Sequence, residues 1–148
     1  MLSAVASATQ DGRFERLKNL KPPALPGDSY SGAGNEDFVI KLLVADDSAL
    51  MRKMLQSIFR DEGDFEIQLA RNGAEALELV RTFDPHVVTL DVQMPEMDGL
   101  ACLRQIMIES PRPVVMISAL TEEGAEATLE AMDLGAIDFV VKPGGTVS

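Results

Sequence analysis

Val87-Val88-Thr89-Leu90-Asp91-Val92-Gln93-Met94-Pro95, followed shortly by Met97-Asp98-Gly99, is the stretch from which the architecture can be worked out. Val87 to Leu90 form an unbroken apolar or β-branched run, as expected for a strand buried on both faces of a parallel sheet. Asp91 closes it. A carboxylate at the carboxyl end of such a strand faces the mouth of an α/β sheet, where ligands bind. The run Ile40-Lys41-Leu42-Leu43-Val44-Ala45 ends the same way, in Asp46-Asp47-Ser48. Two strands thus bring three carboxylates to one edge. Like charges held together cost free energy unless a cation joins them. Hard oxygen ligands favour Mg2+, which keeps waters and takes a phosphate oxygen as a further ligand. Asp91 is then placed to act as a nucleophile toward phosphorus.

Working outward, strand and helix alternate from Phe38 onward. Ile40–Ala45 reads as the first strand. Met51, Met54, Leu55, Ile58 and Phe59 recur at helical spacing behind Ser48, a plausible N-cap. Phe65–Ala70 alternates apolar and polar, so it reads as a half-exposed strand. Asn72 opens a second helix with Ala76, Leu77 and Val80 inward, ended before Pro85. Val87–Leu90 is the third strand and Asp98–Ile108 the third helix. Val114–Ile117 is the fourth strand, ending in Ser118. Thr121 caps a fourth helix that Gly135 ends. Ile137–Val141 is the fifth strand, followed by Lys142-Pro143. The alternating second strand belongs at an edge, and right-handed crossovers then give order 2-1-3-4-5. The fold expected is α/β and flavodoxin-like: a five-stranded parallel sheet with helices on both faces.

The chain has 148 residues, 46% of them hydrophobic, which fits one folded domain. Residues 1–37 carry four Lys/Arg and five Asp/Glu, a net charge of −1. Residues 38–148 carry nine and nineteen, a net charge of −10. An acidic folded part argues against nucleic acid and anionic membrane surfaces as partners. No apolar run is long enough to span a bilayer, and no secretory leader is evident, so a cytoplasmic location is expected. Cys102, the single cysteine, falls in an apolar helical pattern and reads as a buried structural thiol. His86, the single histidine, starts the third strand at the end opposite the acids and reads as a surface residue without a chemical role. The eight methionines read as core packing. Residues 1–37, with Pro22-Pro23, Pro26-Gly27 and Ser31-Gly32-Ala33-Gly34, are expected to be a flexible extension. Residues 38–143 form the domain.

The strand ends assemble a phosphoryl-transfer site. Asp91 supplies the nucleophile. Asp46 and Asp47 hold the cation with Asp91, and the backbone carbonyl of Gln93 is a further ligand. Ser118 offers a hydroxyl, small Ala119 leaves room, and Lys142 places a cation opposite the metal. Taken singly, each has an ordinary reading: a helix cap for Asp46-Asp47-Ser48, a turn for Asp91, a solvated charge for Lys142. Four strands ending in acid, acid, hydroxyl and amine, in the expected spatial order, favour the site.

On these motifs, Val44-Ala45-Asp46-Asp47-Ser48, Thr89 to Pro95 with Met97-Asp98-Gly99, Ile117-Ser118-Ala119 and Val141-Lys142-Pro143, residues 38–143 resemble a response-regulator receiver domain. Val114 to Leu129, Ser48 to Arg52 and Gly135 to Val140 are similar to the receiver of the chemotaxis protein-glutamate methylesterases. That resemblance implies a chemotaxis-type histidine kinase as phosphoryl donor and switch roles for Ser118 and Phe139. It also implies a methylesterase catalytic domain as the regulated partner. Residues 144–148 look like the approach to that family's interdomain linker. Gln93 stands where this subfamily is expected to carry a glutamate. No serine-esterase motif is present, so ester hydrolysis by this chain is not expected. A fifth helix normal to the family is missing after Pro143. At ~400 Å² of apolar burial it would be worth up to ~10 kcal/mol. The expectation is a truncated product or fragment, with residues 11–21 as a less favoured substitute in the vacated groove. A stand-alone receiver is the alternative function. A haloacid dehalogenase-type phosphatase is disfavoured because Gln93 occupies the place of its acid/base aspartate. A nucleotide-binding flavodoxin-like module lacks its glycine-rich loop.

Overall fold

A computed structural model describes residues 39–119 and 122–142. The expected N-terminal extension, the Thr121 cap, Pro143 and the linker segment lie outside the described residues. Nine elements follow in order: β1 (Ile40–Ala45), α1 (Ala49–Asp61), β2 (Phe65–Ala70), α2 (Gly73–Phe83), β3 (Val87–Asp91), α3 (Gly99–Glu109), β4 (Val114–Ser118), α4 (Glu122–Leu134) and β5 (Asp138–Val141). All strand pairs are parallel, in the order β2-β1-β3-β4-β5. Among the described residues there are four helices, and none is long and apolar enough to cross a membrane.

Hydrophobic pattern places each layer. β1, β3 and β4 are almost wholly buried, as the central strands of a parallel sheet must be. β2 alternates and forms one edge. β5 alternates too and forms the other. On one face, Leu55 and Phe59 of α1 pack over Ile40, Leu42 and Val44. The Phe59 and Phe65 rings meet edge to face at 5.1 Å. Facing the other way, Leu43, Val88, Leu90 and Met116 meet Ala76, Leu77 and Val80 of α2, Cys102, Leu103 and Ile106 of α3, and Ala131 of α4.

Side-chain caps fix where the helices begin. Ser48 Oγ accepts from the Met51 N–H, Asn72 Oδ1 from Glu75, and Asp98 Oδ1 from Ala101. Asp98 therefore stands outside α3, which runs one residue later than its apolar pattern suggests. An N-cap keeps extended backbone so that its side chain can reach the free amides of the first turn. Asp84 ends α2 in the left-handed region, with φ 50°, since the following Pro85 disfavours continued helix. β5 starts at Asp138 rather than Ile137, whose N–H still reaches the Val114 carbonyl.

His86 departs from its surface reading. Its ring Nδ1 accepts the Lys41 N–H at 2.9 Å, and its own N–H donates to the Lys41 carbonyl. The half-buried imidazole thus extends the β1–β3 ladder below its last backbone pair. Burial, then the Lys41 charge, holds it below the ordinary histidine range. Cys102 is buried as expected. Its Sγ–H points to the Gly73 carbonyl at 3.6 Å, and burial pushes its pKa up to about 12. The methionines divide: Met94 and Met116 are core, while Met132 is 40% exposed.

Candidate functional site

Sheet register lines up the strand ends. Ala45 pairs with Leu90, so Asp46 stands level with Asp91. Asp91 pairs with Ile117, which puts Ser118 one residue further up. Ser118 pairs with Val141, which puts Lys142 one step beyond that. Hydrogen bonds past the strands keep this stagger: Asp46 N–H to the Ala70 carbonyl, Val92 N–H to Ile117, and Lys142 N–H to Ser118.

Carboxylate oxygens of Asp46, Asp47 and Asp91 lie within 4.8 Å of one another. Asp46 is 1% exposed and Asp91 3%, whereas Asp47 is exposed. Lys142 Nζ donates to Asp91 Oδ2 at 2.9 Å and stands 3.1 Å from Asp46 Oδ2. The Gln93 N–H reaches Asp91 Oδ1 at 3.3 Å, and the Ser48 N–H reaches Asp46 Oδ1 at 2.8 Å. Asp46 Oδ2 is thus ion-paired yet has no aligned hydrogen-bond donor among the described residues. One ammonium serves two buried carboxylates.

Asp91 bears the strain. Burial first, then the neighbouring Asp46 charge, raises its pKa to about 7 against the opposing pull of Lys142. Burial works against the charge on Lys142, but Asp91 and Asp46 outweigh it and raise its pKa. An acidic cluster in which three carboxylates share one ammonium suits a hard divalent cation. The residues present therefore fit Mg2+.

The loop after Asp91 is pressed close. The Gly99 N–H donates to the Val92 carbonyl, and a Cβ on Gly99 would collide with the Asp91 carbonyl oxygen. A Cβ on Gly73 would lie 2.6 Å from the Met97 carbonyl oxygen. Glycine at both positions lets residues 92–98 lie flat between α2 and α3, which brings the Gln93 amide back over the Asp91 carboxylate.

Ser118 is buried, with its Oγ–H donating to the Ala119 carbonyl at 3.1 Å. Phe139 does not join the carboxylates. It is 36% exposed and lines a recess of about 340 Å³ with Ser118, Ala119, Thr128, Leu129 and Met132. Sequence reasoning missed Arg52, whose Nη1–H donates to the Asp46 carbonyl at 2.8 Å. Its one available signal was position: a long donor one turn into α1 can fold back over the loop that leads into its own helix.

With this geometry in hand, comparison with known proteins defines the class. Residues 42–147 match the response regulator receiver domain, and the chain belongs to that family. Within it, the chain is closely related to the regulatory domains of chemotaxis methylesterases. It is 69% identical over 110 residues to protein-glutamate methylesterase/protein-glutamine glutaminase 2 of Rhodopseudomonas palustris, covering 74% of this chain and 30% of that one. Identity to protein-glutamate methylesterase/protein-glutamine glutaminase 3 of Rhodospirillum rubrum is 60% over 108 residues, covering 73% and 29%. Among solved structures, the response regulator domain of Thermotoga maritima CheB superposes with a TM-score of 0.68 at 44% identity, covering 74% of this chain and 83% of that one. A chain of the CheX-CheY-BeF3-Mg2+ complex of Borrelia burgdorferi gives 0.62 at 38% identity, covering 70% and 78%. The chain spans about 30% of the length of the curated relatives it matches, which is their receiver part.

Proposed function

We propose that this chain accepts a phosphoryl group on Asp91 from a chemotaxis-type histidine kinase, and that it is the regulatory part of a protein-glutamate methylesterase. The observation that carries this is the convergence of Asp46, Asp47 and Asp91, with a single Lys142 bridging Asp46 and Asp91. Asp46, Asp47, Asp91 and the Gln93 backbone carbonyl would hold Mg2+. Bound there, the ion neutralises charge on the transferring phosphoryl group. Mg2+ in the Borrelia burgdorferi complex supports this choice of metal.

The chain's own groups do the rest. An Asp91 carboxylate oxygen attacks phosphorus in line, while the bond from phosphorus to the donor histidine nitrogen breaks and its electron pair stays on that nitrogen. Lys142 leaves part of its ion pair with Asp91 to face a phosphoryl oxygen. The Ser118 hydroxyl turns from the Ala119 carbonyl to donate to another. Small Ala119 keeps the approach open. As Ser118 moves, Phe139 turns into the recess beside it, which shifts the population between two forms of the α4–β5 surface. That change relieves the block on a methylesterase catalytic domain, and a cytoplasmic location beside the kinase goes with this reading.

Transfer from a radiolabelled, autophosphorylated chemotaxis kinase tests the reading. Label should appear on the full chain in Mg2+, vanish with EDTA, and be absent from Asp91→Asn. Label retained by Asp91→Asn would place the acceptor elsewhere.

A further inference from the structure

Asp46 and Asp47 enter the site by different means. Asp46 is tied down on three sides: its N–H by the Ala70 carbonyl, its Oδ1 by the Ser48 N–H, and its carbonyl by the Arg52 guanidinium. Asp47 is exposed, and among the described residues its carboxylate has no hydrogen-bond or ion-pair partner. What aims Asp47 is therefore the peptide unit that precedes it. The oxygen of that peptide is the Asp46 carbonyl, and Arg52 Nη1 holds it at 2.8 Å.

Helical geometry makes the contact natural. The Arg52 N–H closes the first turn of α1 onto the Ser48 carbonyl. Side chains tilt toward the N-terminus of their helix, so the guanidinium folds back over residues 46–48. One end of the clamp is thus anchored in α1 and the other in the loop that carries two of the three carboxylates.

We propose that Arg52 is a positioning residue for the cation site: it fixes the Asp46–Asp47 peptide and so preorganises the Asp47 carboxylate for Mg2+. This rests on the metal reading above. Groups that orient metal ligands without touching the metal affect affinity by roughly 10- to 100-fold. The sign separates positioning from charge. A guanidinium acting only as a nearby positive charge would repel Mg2+, so removing it would tighten binding. A guanidinium that orients Asp47 does the opposite, and its loss weakens binding.

Calorimetric titration of the full chain with MgCl2 tests this, with melting temperature in EDTA measured alongside. Arg52→Ala should raise the Mg2+ dissociation constant about tenfold. Arg52→Lys, which keeps a donor and the charge, should recover part of that loss. In an Asp47→Asn background, Arg52→Ala should change the constant by less than about twofold, since the ligand it orients is gone. Unchanged or tighter binding by Arg52→Ala overturns the proposal, as does an equal tenfold effect in both backgrounds. Absence of Mg2+ binding by the wild-type chain would instead overturn the metal reading, and this inference with it.

Discussion

At the residue scale, the site trades stability for chemistry. Asp91 carries a pKa of about 7 because burial and Asp46 oppose its charge. An unfolded aspartate titrates near 3.8. Between those values the folded chain holds a proton that the unfolded chain has released. Stability from this group is therefore full below about pH 4 and is lost as pH rises through 7. Three pKa units set an upper bound of about 4 kcal/mol. Asp91→Asn should thus melt higher than wild type at pH 8 in EDTA, by about 2 kcal/mol, with the gap closing at pH 5. Saturating Mg2+ should stabilise wild type far more than the variant. Equal melting at pH 8 would show that Lys142 already neutralises the pair. Gly99 makes a second residue-scale case. Gly99→Ala drives a methyl group into the Asp91 backbone, so a loss of at least about 2 kcal/mol is expected in thermal unfolding. An unperturbed melting curve would mean the 92–98 loop can yield.

At the element scale, β3 carries an oddity within its buried run. Thr89 is fully buried between Val44 and Val115, and its hydroxyl has no hydrogen-bond partner among the described residues. Thr89→Val keeps the shape and removes the unmatched group, so a gain of about 1 kcal/mol is expected from denaturant unfolding. A loss would mean that hydroxyl is solvated in solution. Most elements could be read from sequence because parallel strands covered on both faces are apolar throughout, and because Ser48, Asn72 and Asp98 mark helix starts. The reading slipped where a residue's role depends on a distant partner. His86 pairs with Lys41 across 45 positions of sequence, and no local pattern announces that contact. Arg52 looks like any exposed helix cation until the loop that it clasps is folded beside it.

At the scale of the molecule, strand order converts four separate sequence motifs into one site. Placing β3 between β1 and β4 sets Asp46 level with Asp91 and brings Ser118 and Lys142 up in steps of one residue. Asp46, Asp91, Ser118 and Lys142 could be named from sequence because each stands at or just past the end of a strand. Their electrostatics could not, since the Lys142 shared by Asp46 and Asp91 and the raised Asp91 exist only once the sheet has closed. Phe139 and Ser118 line one apolar recess, whose shape depends on how α4 crosses β5. The most direct test of the whole account is the intact mass of the chain after acetyl phosphate, with and without Mg2+, for wild type and Asp91→Asn. One phosphoryl adduct on wild type, lost in EDTA and absent from Asp91→Asn, is the predicted result. An adduct on Asp91→Asn, or none on a wild-type chain shown to be folded, would contradict it.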